Sequence, residues 1–431
     1  MSGSHPIEGP PISTTAHKDA IGRLLSSIFV FILPAVKFIE ITIGGKLFFT
    51  EIILLILFMF MLVTRKIHFQ FKLAHTFILL CLLWLYGQIF TDLIRGTPLV
   101  DYARGWAKIL FTIINFTVLF ILLHGKKRRM VIFASGLVTG GFLEYFLNPG
   151  PLALTSPWKF ALGTPVTLLV VLIVSAISPS KPFVRIGLLM AAFAINMCMG
   201  FRSLSGICFL TAIYLFIQSI EGRKRLTFTP HTFKRPLVVG TFLLVASMLL
   251  IEGYGYMAQQ GILGERAENV YQMQGYGMLG VLIGGRSEIL SSGRAILDSP
   301  IIGHGSWAKD PKYVDALIMY KRQLGYYADE QDESELIPTH SHFFGAWVEA
   351  GILGAAFWGW VLCLVARCLY SMYGIRDRLV PLYAFIGFFL LWDIFFSPYA
   401  GDRRFITVFY IVTLMTAITE FTKSRKKSFA L

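Results

Sequence analysis

Long, unbroken apolar runs recur along this chain, and LAHTFILLCLLWLYGQIFTDLI (73–94) and FITVFYIVTLMTAITEF (405–421) are two of them. A hydrocarbon environment offers backbone amides no water, so a segment that enters it must satisfy its hydrogen bonds internally as a helix or within a closed barrel. Barrel strands alternate apolar and polar residues, whereas these runs are continuous and close to the length of about 20 residues that an α-helix needs to span a bilayer. The fold class this predicts is an all-α, polytopic integral membrane protein. With 55% hydrophobic and 15% charged residues and a mean hydropathy of +0.65, the chain falls outside the soluble globular range.

Twelve transmembrane spans are expected, at 24–43, 46–64, 73–94, 109–124, 131–147, 164–178, 186–201, 204–220, 237–258, 343–368, 379–397 and 405–421. Lys37 and Glu40 interrupt the first. Residues 1–23 read as a flexible tail with no basic stretch leading into a cleavable apolar core, and 422–431 as a basic tail. The five cysteines, Cys81, Cys198, Cys208, Cys363 and Cys368, all lie in apolar segments without CxxC spacing, so they read as small hydrophobes and not as metal ligands.

The net charge of +14 is a topology signal before it is anything else, and no nucleic-acid partner is inferred from it. Lysine and arginine concentrate in alternate connections: Arg65, Lys66 and Lys72; Lys126 to Arg129; Lys181 and Arg185; Arg223 to Arg225 with Lys234 and Arg235; Arg376 and Arg378. The positive-inside rule then places both termini in the cytoplasm. On the same parity, the connection 259–342, 84 residues long, lies outside; within it GERAENVYQMQ and SEILSSGRAILDS read as helices.

Where this loop re-enters the membrane the sequence is THSHFFGAWVEAGILG (339–354). His340 and His342 stand at the outer boundary, and Glu349 lies inside the span, where a charge ordinarily has a partner or a function. The plain structural reading is that the histidines cap the helix and Glu349 is a paired structural acid. The chemical reading makes one histidine a general base. Upstream, Arg286 and Arg294 stand eight residues apart behind Gly284 and Gly285, and a guanidinium fork suits phosphate oxygens; lipid-facing surface arginines are the competing explanation. Arg104, Arg202, Arg403 and Arg404 lie in short outward connections that the positive-inside rule leaves poor in such residues, so they are candidates to converge on an anionic ligand. Asp393 is a lone intramembrane acid, expected to pair with an arginine. The acidic run Asp329, Glu330, Asp332, Glu333 and Glu335 matches no metal-loop spacing and reads as a solvated loop; no metal and no cofactor is expected.

The pattern His340-Ser341, nine intervening residues, then Gly351-x-x-Gly354, with Arg286-x-x-x-Leu290 in one large late loop and Arg202 before it, resembles the O-antigen ligase and polymerase superfamily. That resemblance implies a metal-independent glycosyltransferase similar to the GT-C class, set in a bacterial inner membrane with its site facing the periplasm. Its donor would be an undecaprenyl-pyrophosphate-linked glycan, and its acceptor a hydroxyl of lipid A–core or of a growing glycan, both presented among membrane lipids. It implies His340 as general base, Arg286 and Arg202 on the pyrophosphate, Arg294, His342, Arg403, Arg404 and Arg104 as further substrate contacts, and Ser341, Glu349, Gly351, Gly354 and Asp393 as structural positions. His342 is the alternative base; the eleven-residue distance to Gly351 favours His340. Gly351 and Gly354 are expected to let helices approach closely. A repeat-unit polymerase and a protein O-glycosyltransferase share this chemistry. A flippase for lipid-linked sugars, or a non-catalytic assembly subunit, leaves either the long loop or the histidine without a reason.

Overall fold

The computed structural model describes residues 14–42, 45–67, 69, 71–221, 234–262, 264–273, 286–323 and 335–429. Gly284, Gly285, the acidic Asp329, Glu330, Asp332 and Glu333, and the basic Arg223, Lys224 and Arg225 lie outside them. The chain is an all-α membrane protein: 79% of the described residues are helical. Each expected span contains a helix. These are α1 (Thr14–Ala35), α2 (Phe49–Val63), α3 (Lys72–Arg95), α4 (Leu99–Leu123), α5 (Lys127–Leu147), then, after the short α6 (Pro151–Thr155), α7 (Gly163–Ala176), α8 (Pro182–Cys198), α9 (Arg202–Glu221) and α10 (Lys234–Gln259). In the 259–342 connection stand α11 (Glu265–Met273), α12 (Glu288–Asp298) and α13 (Pro311–Gln323), followed by α14 (His342–Met372), α15 (Val380–Phe396) and α16 (Arg403–Phe429). Among the described residues seven helices are long and apolar enough to cross a membrane, and four further apolar helices are shorter.

Four boundaries differ from the expectation. The first span ends at Ala35, not at residue 43, because Pro34 closes α1 and the β-branched Ile-Glu-Ile-Thr run prefers extended backbone; β1 (Glu40–Thr42) pairs antiparallel with β2 (Lys46–Phe48). The helix α1 also begins at Thr14, inside the stretch expected to be a tail, just beyond Pro10 and Pro11. At the other end α16 runs on through the basic tail to Phe429, since neither Gly nor Pro interrupts it. The fourth span starts at Leu99, a full three turns earlier than expected, and this brings Arg104 and Lys108 onto a helix.

Leu62, Val63, Leu79, Leu93, Phe146 and many others leave large apolar side chains exposed on the outside of the bundle, as a lipid-facing surface requires. Polar groups turn inward, among them Glu51, Gln88, Thr91, Asp92, Asn115 and Asp393. The segment Arg403–Lys423 is 78% buried, the most enclosed of the seven, so α16 is the central post of the bundle. On it pack α4 and α14, and α14 also packs along α3 and α15. Gly87 lets α3 reach α14: a Cβ there would stand 2.9 Å from the Leu353 Cβ.

The α12–α13 part of the loop forms a small satellite core of Ala295, Ile296, Tyr313 and Ile337, closed by Val348 of α14. Two backbone bonds, Ile337 N to Ala308 O at 2.9 Å and Asp310 N to Glu335 O at 3.0 Å, tie the returning strand to this core. They deliver the chain to His340 along a fixed path.

Candidate functional site

The start of α14 is capped by Ser341, whose Oγ accepts from Phe344 N at 3.0 Å and donates to the Ile394 carbonyl at 2.7 Å. A serine N-cap satisfies one of the free amides of the first turn and here also anchors α14 to α15. The two histidines flanking this cap have opposite environments. His342 is fully buried, with Nδ1 donating to the Ser397 carbonyl at 2.6 Å and its ring edge-on to Trp358 and Tyr399. Its Nε2 makes no hydrogen bond among the described residues. His340 keeps 47% of its side chain open, at the edge of a chamber of about 1070 Å³.

That chamber opens between the loop and α4, α14 and the turn before α16. His340, Ser341, His342, Glu349, Arg104 and Arg404 line it, together with Lys46, Lys108, Glu288 and Lys321 and the apolar Leu99, Val100, Phe111 and Tyr399. Of the other sequence-predicted residues, Arg286 and Arg403 are near enough for their charges to act on His340, and Arg202 acts on Arg286. The His340 ring is held below the ordinary histidine pKa by partial burial; Glu288 opposes this, and the charges of Arg286, Arg403 and Lys321 reinforce it. Burial likewise lowers the Arg286 pKa, Glu288 supports its charge, and Arg202 and Arg403 oppose it. Three arginines from separate parts of the chain therefore act on one another beside an accessible, neutral imidazole.

Each cation has a setting that the sequence did not give. Arg403 donates to Asp393 at 2.9 Å, a half-exposed partner for the buried intramembrane acid. Arg202 lies over the Tyr254 ring at 5.1 Å and donates to its hydroxyl at 3.3 Å. Arg104 stands over Trp307 and 3.7 Å from Asp101. Arg404 is nearly buried and held by Glu51 at 2.7 Å, with Asn115 on the other carboxylate oxygen at 3.2 Å, so its charge is committed to the bundle.

Arg294 is not brought to the site. Its side chain is 59% exposed and pairs with Asp298 within α12. Arg286 precedes the helix, in the turn before Glu288, so helical periodicity does not relate the two.

The glycines of the motif have a different role from helix–helix approach. Gly351 has φ 62° and ψ −150°, a backbone conformation essentially confined to glycine, and it breaks α14 in the middle of the span. The break frees backbone groups, and the loop segment Ile301–Ser306 repairs them: His304 N donates to Val348 O at 2.7 Å, Gly305 N to Glu349 O at 3.1 Å, and Ile352 N to Ile301 O at 3.1 Å. A Cβ on Gly351 would strike the Ile301 carbonyl, and one on Gly354 the Ala346 carbonyl across the break. Broken helices at membrane depth persist where other protein groups complete the hydrogen bonding. Glu349, next to the break, forms an ion pair with Lys108 of α4.

Three contributors were not singled out in the sequence, and a fourth, the IIGHGS turn around His304, reads there only as a tight turn. Asp92 of α3 accepts from Ser306 N at 2.6 Å, Ser306 Oγ at 2.7 Å and Trp106 Nε1 at 2.8 Å, and so seats the loop segment. Lys108 partners Glu349. The IIGHGS turn is the element that completes α14. Glu288 lies 3.9 Å from His340 Nδ1, and its only sequence signal is a carboxylate two residues after Arg286. Comparison of the chain with protein-family models, with curated proteins and with solved structures found no match.

Proposed function

We propose that this protein is a glycosyltransferase of the O-antigen ligase type, moving a glycan from an undecaprenyl-pyrophosphate carrier to an acceptor hydroxyl at the outer face of a bacterial inner membrane. The proposed topology has twelve spans, cytoplasmic termini and the 259–342 connection outside. One observation carries the reading: an accessible His340 at the rim of a large chamber, with Arg286 and Arg403 acting on its ring and Arg202 acting on Arg286. A sugar held through its anomeric carbon on pyrophosphate already has a good leaving group. The protein then has two tasks, to remove the acceptor proton and to stabilise the departing diphosphate.

A neutral imidazole at pH 7 suits the first task, and always-charged guanidinium forks suit the second. In the proposed step the acceptor oxygen bonds to the anomeric carbon as His340 takes its proton. The bond from that carbon to the pyrophosphate oxygen breaks, and its electron pair leaves with the diphosphate. Attack opposite the leaving group inverts the anomeric centre. Buried His342 supports the site by fixing the turn at Ser397, and the base role falls to His340.

Deletion of the gene followed by gel analysis of surface glycan tests the reading. Loss of attached polymer with accumulation of lipid-linked polymer is the expected result. A single attached repeat would instead identify a polymerase, and repeats trapped on the cytoplasmic face a transporter. His340→Ala should reproduce the deletion with normal membrane levels of protein; near-normal transfer in that variant would sink the assignment.

A further inference from the structure

We propose that Glu288 is a positioning residue for His340: its carboxylate engages the Nδ1 side of the ring and leaves Nε2 as the proton-accepting nitrogen. This rests on the glycosyl-transfer reading and adds the group that readies its base. The geometry is specific. Glu288 Oε1 stands 3.9 Å from His340 Nδ1, within ion-pair reach, and the carboxylate is 24% exposed against 47% for the imidazole, so the acid lies beneath and the ring faces out. The other oxygen, Oε2, is buried and takes no hydrogen bond among the described residues, so the carboxylate has acceptor capacity to spare.

Glu288 is itself held in place. It opens α12, where a negative charge is favoured by the helix dipole, and its carbonyl accepts from Ser292 Oγ at 2.8 Å. The backbone bonds Ile289 N to Arg286 O and Leu290 N to Ser287 O, both 3.0 Å, fix the turn that carries Arg286 and Glu288 together.

Four charged groups act on the His340 ring, one from each of its surroundings: Glu288 at the start of α12, Arg286 in the preceding turn, Arg403 at the start of α16 and Lys321 near the end of α13. Three are cations and one is an anion. Proton transfer from an acceptor hydroxyl to Nε2 creates an imidazolium among those cations, and Glu288 is the charge that favours it. At 3.9 Å the carboxylate acts on the Nδ1 side as a charge and not through a hydrogen bond, which favours the proton on Nδ1 and leaves Nε2 open to the acceptor.

The test needs no substrate. Full-length protein in lipid nanodiscs is treated with diethylpyrocarbonate across pH 4.5 to 8, and carbethoxylation of His340 is followed by peptide mass spectrometry. Only neutral imidazole reacts, so the midpoint of the rate profile is the His340 pKa. Glu288→Gln should move that midpoint down by about 0.5–1 pH unit, since it removes the one favourable charge that acts on this half-exposed ring among the described residues. Buried His342 stays unmodified in folded protein and flags any variant that unfolds; Glu288→Ala is then measured in its place. An unmoved midpoint in a folded variant overturns the proposal. Transfer assays on the same variants separate the two readings. If His340→Ala retains transfer while Glu288→Gln shifts the midpoint, the transferase reading fails and the pairing stands. If His340→Ala abolishes transfer and the midpoint does not move, the pairing fails alone.

Discussion

Replacing Gly351 with alanine perturbs the break in α14 at a single atom. Two costs follow from the geometry. Alanine at φ 62°, ψ −150° occupies a region that side chains avoid, worth roughly 1–3 kcal/mol. The new Cβ also meets the Ile301 carbonyl, so the segment Ile301–Ser306 has to withdraw. Withdrawal loosens the backbone bonds from His304 N, Gly305 N and Ile352 N, at about 0.5–1.5 kcal/mol each. Loss of two or three of them brings the total to roughly 2–7 kcal/mol. Gly359, in the same helix, is the control: nothing lies within 4 Å of its Cβ position, and alanine there should be neutral or stabilising by about 0.5–1 kcal/mol. Thermal unfolding in mild detergent can be read with a thiol-reactive dye, because Cys81, Cys208 and Cys368 are buried until the bundle opens. Hydrogen exchange across 301–306 supplies the local readout. Gly351→Ala should unfold well below wild type and exchange faster in that segment, while Gly359→Ala does neither. Equal unfolding temperatures and unchanged exchange in the two variants would refute the view that loop and broken helix complete one another.

Further outcomes follow from the same contacts. Lys108→Met strands the Glu349 charge inside the span and should cost about 3–5 kcal/mol, with much of it recovered when Glu349→Gln is added; a double-mutant cycle in detergent unfolding measures the difference. Asp92→Asn places an amide against three donors from Ser306 and Trp106 and should cost roughly 1.5–3 kcal/mol, visible as faster proteolysis of the loop around Ser306. Arg286→Ala should lower transfer by about 10²–10³-fold, as loss of one charge-stabilising donor does, while exposed Arg294→Ala changes it less than about 2-fold; equal effects would contradict their separation. Because the His340 pKa lies below its ordinary value of 6.5, the base is mostly neutral at pH 7, and the midpoint of the rise in transfer with pH should lie on the acid side of 6.5; a midpoint above 6.5 would contradict this. The sign for stability agrees. Near pH 6 the unfolded chain binds the extra proton at this site, so its contribution to stability rises with pH through that window.

Hydropathy and charge alone determine that this chain is helical and membrane-bound, because continuous apolar runs admit few other backbone solutions and a helix stands at each expected span. The His340-Ser341 motif also announces a polar site at the head of a late span, and Ser341 caps that helix as a short hydroxyl residue before an apolar run would. What the sequence does not contain is which polar groups meet. Lys108 and Glu349 are 241 positions apart, Asp92 and Ser306 are 214 apart, and both pairs form only once α3, α4 and α14 pack side by side. Arg286 and Arg294 stand eight residues apart in the sequence, and only the structure separates them, because the helix begins at Glu288 and leaves Arg286 outside it. The two histidines, which the sequence separates only by the distance to Gly351, differ in burial: packing against Trp358 and Tyr399 encloses His342, while His340 remains at the chamber rim. Local pattern sets the helices, since each satisfies its own backbone hydrogen bonds; the site depends on long-range packing, since its charges acquire partners only when distant segments close around them.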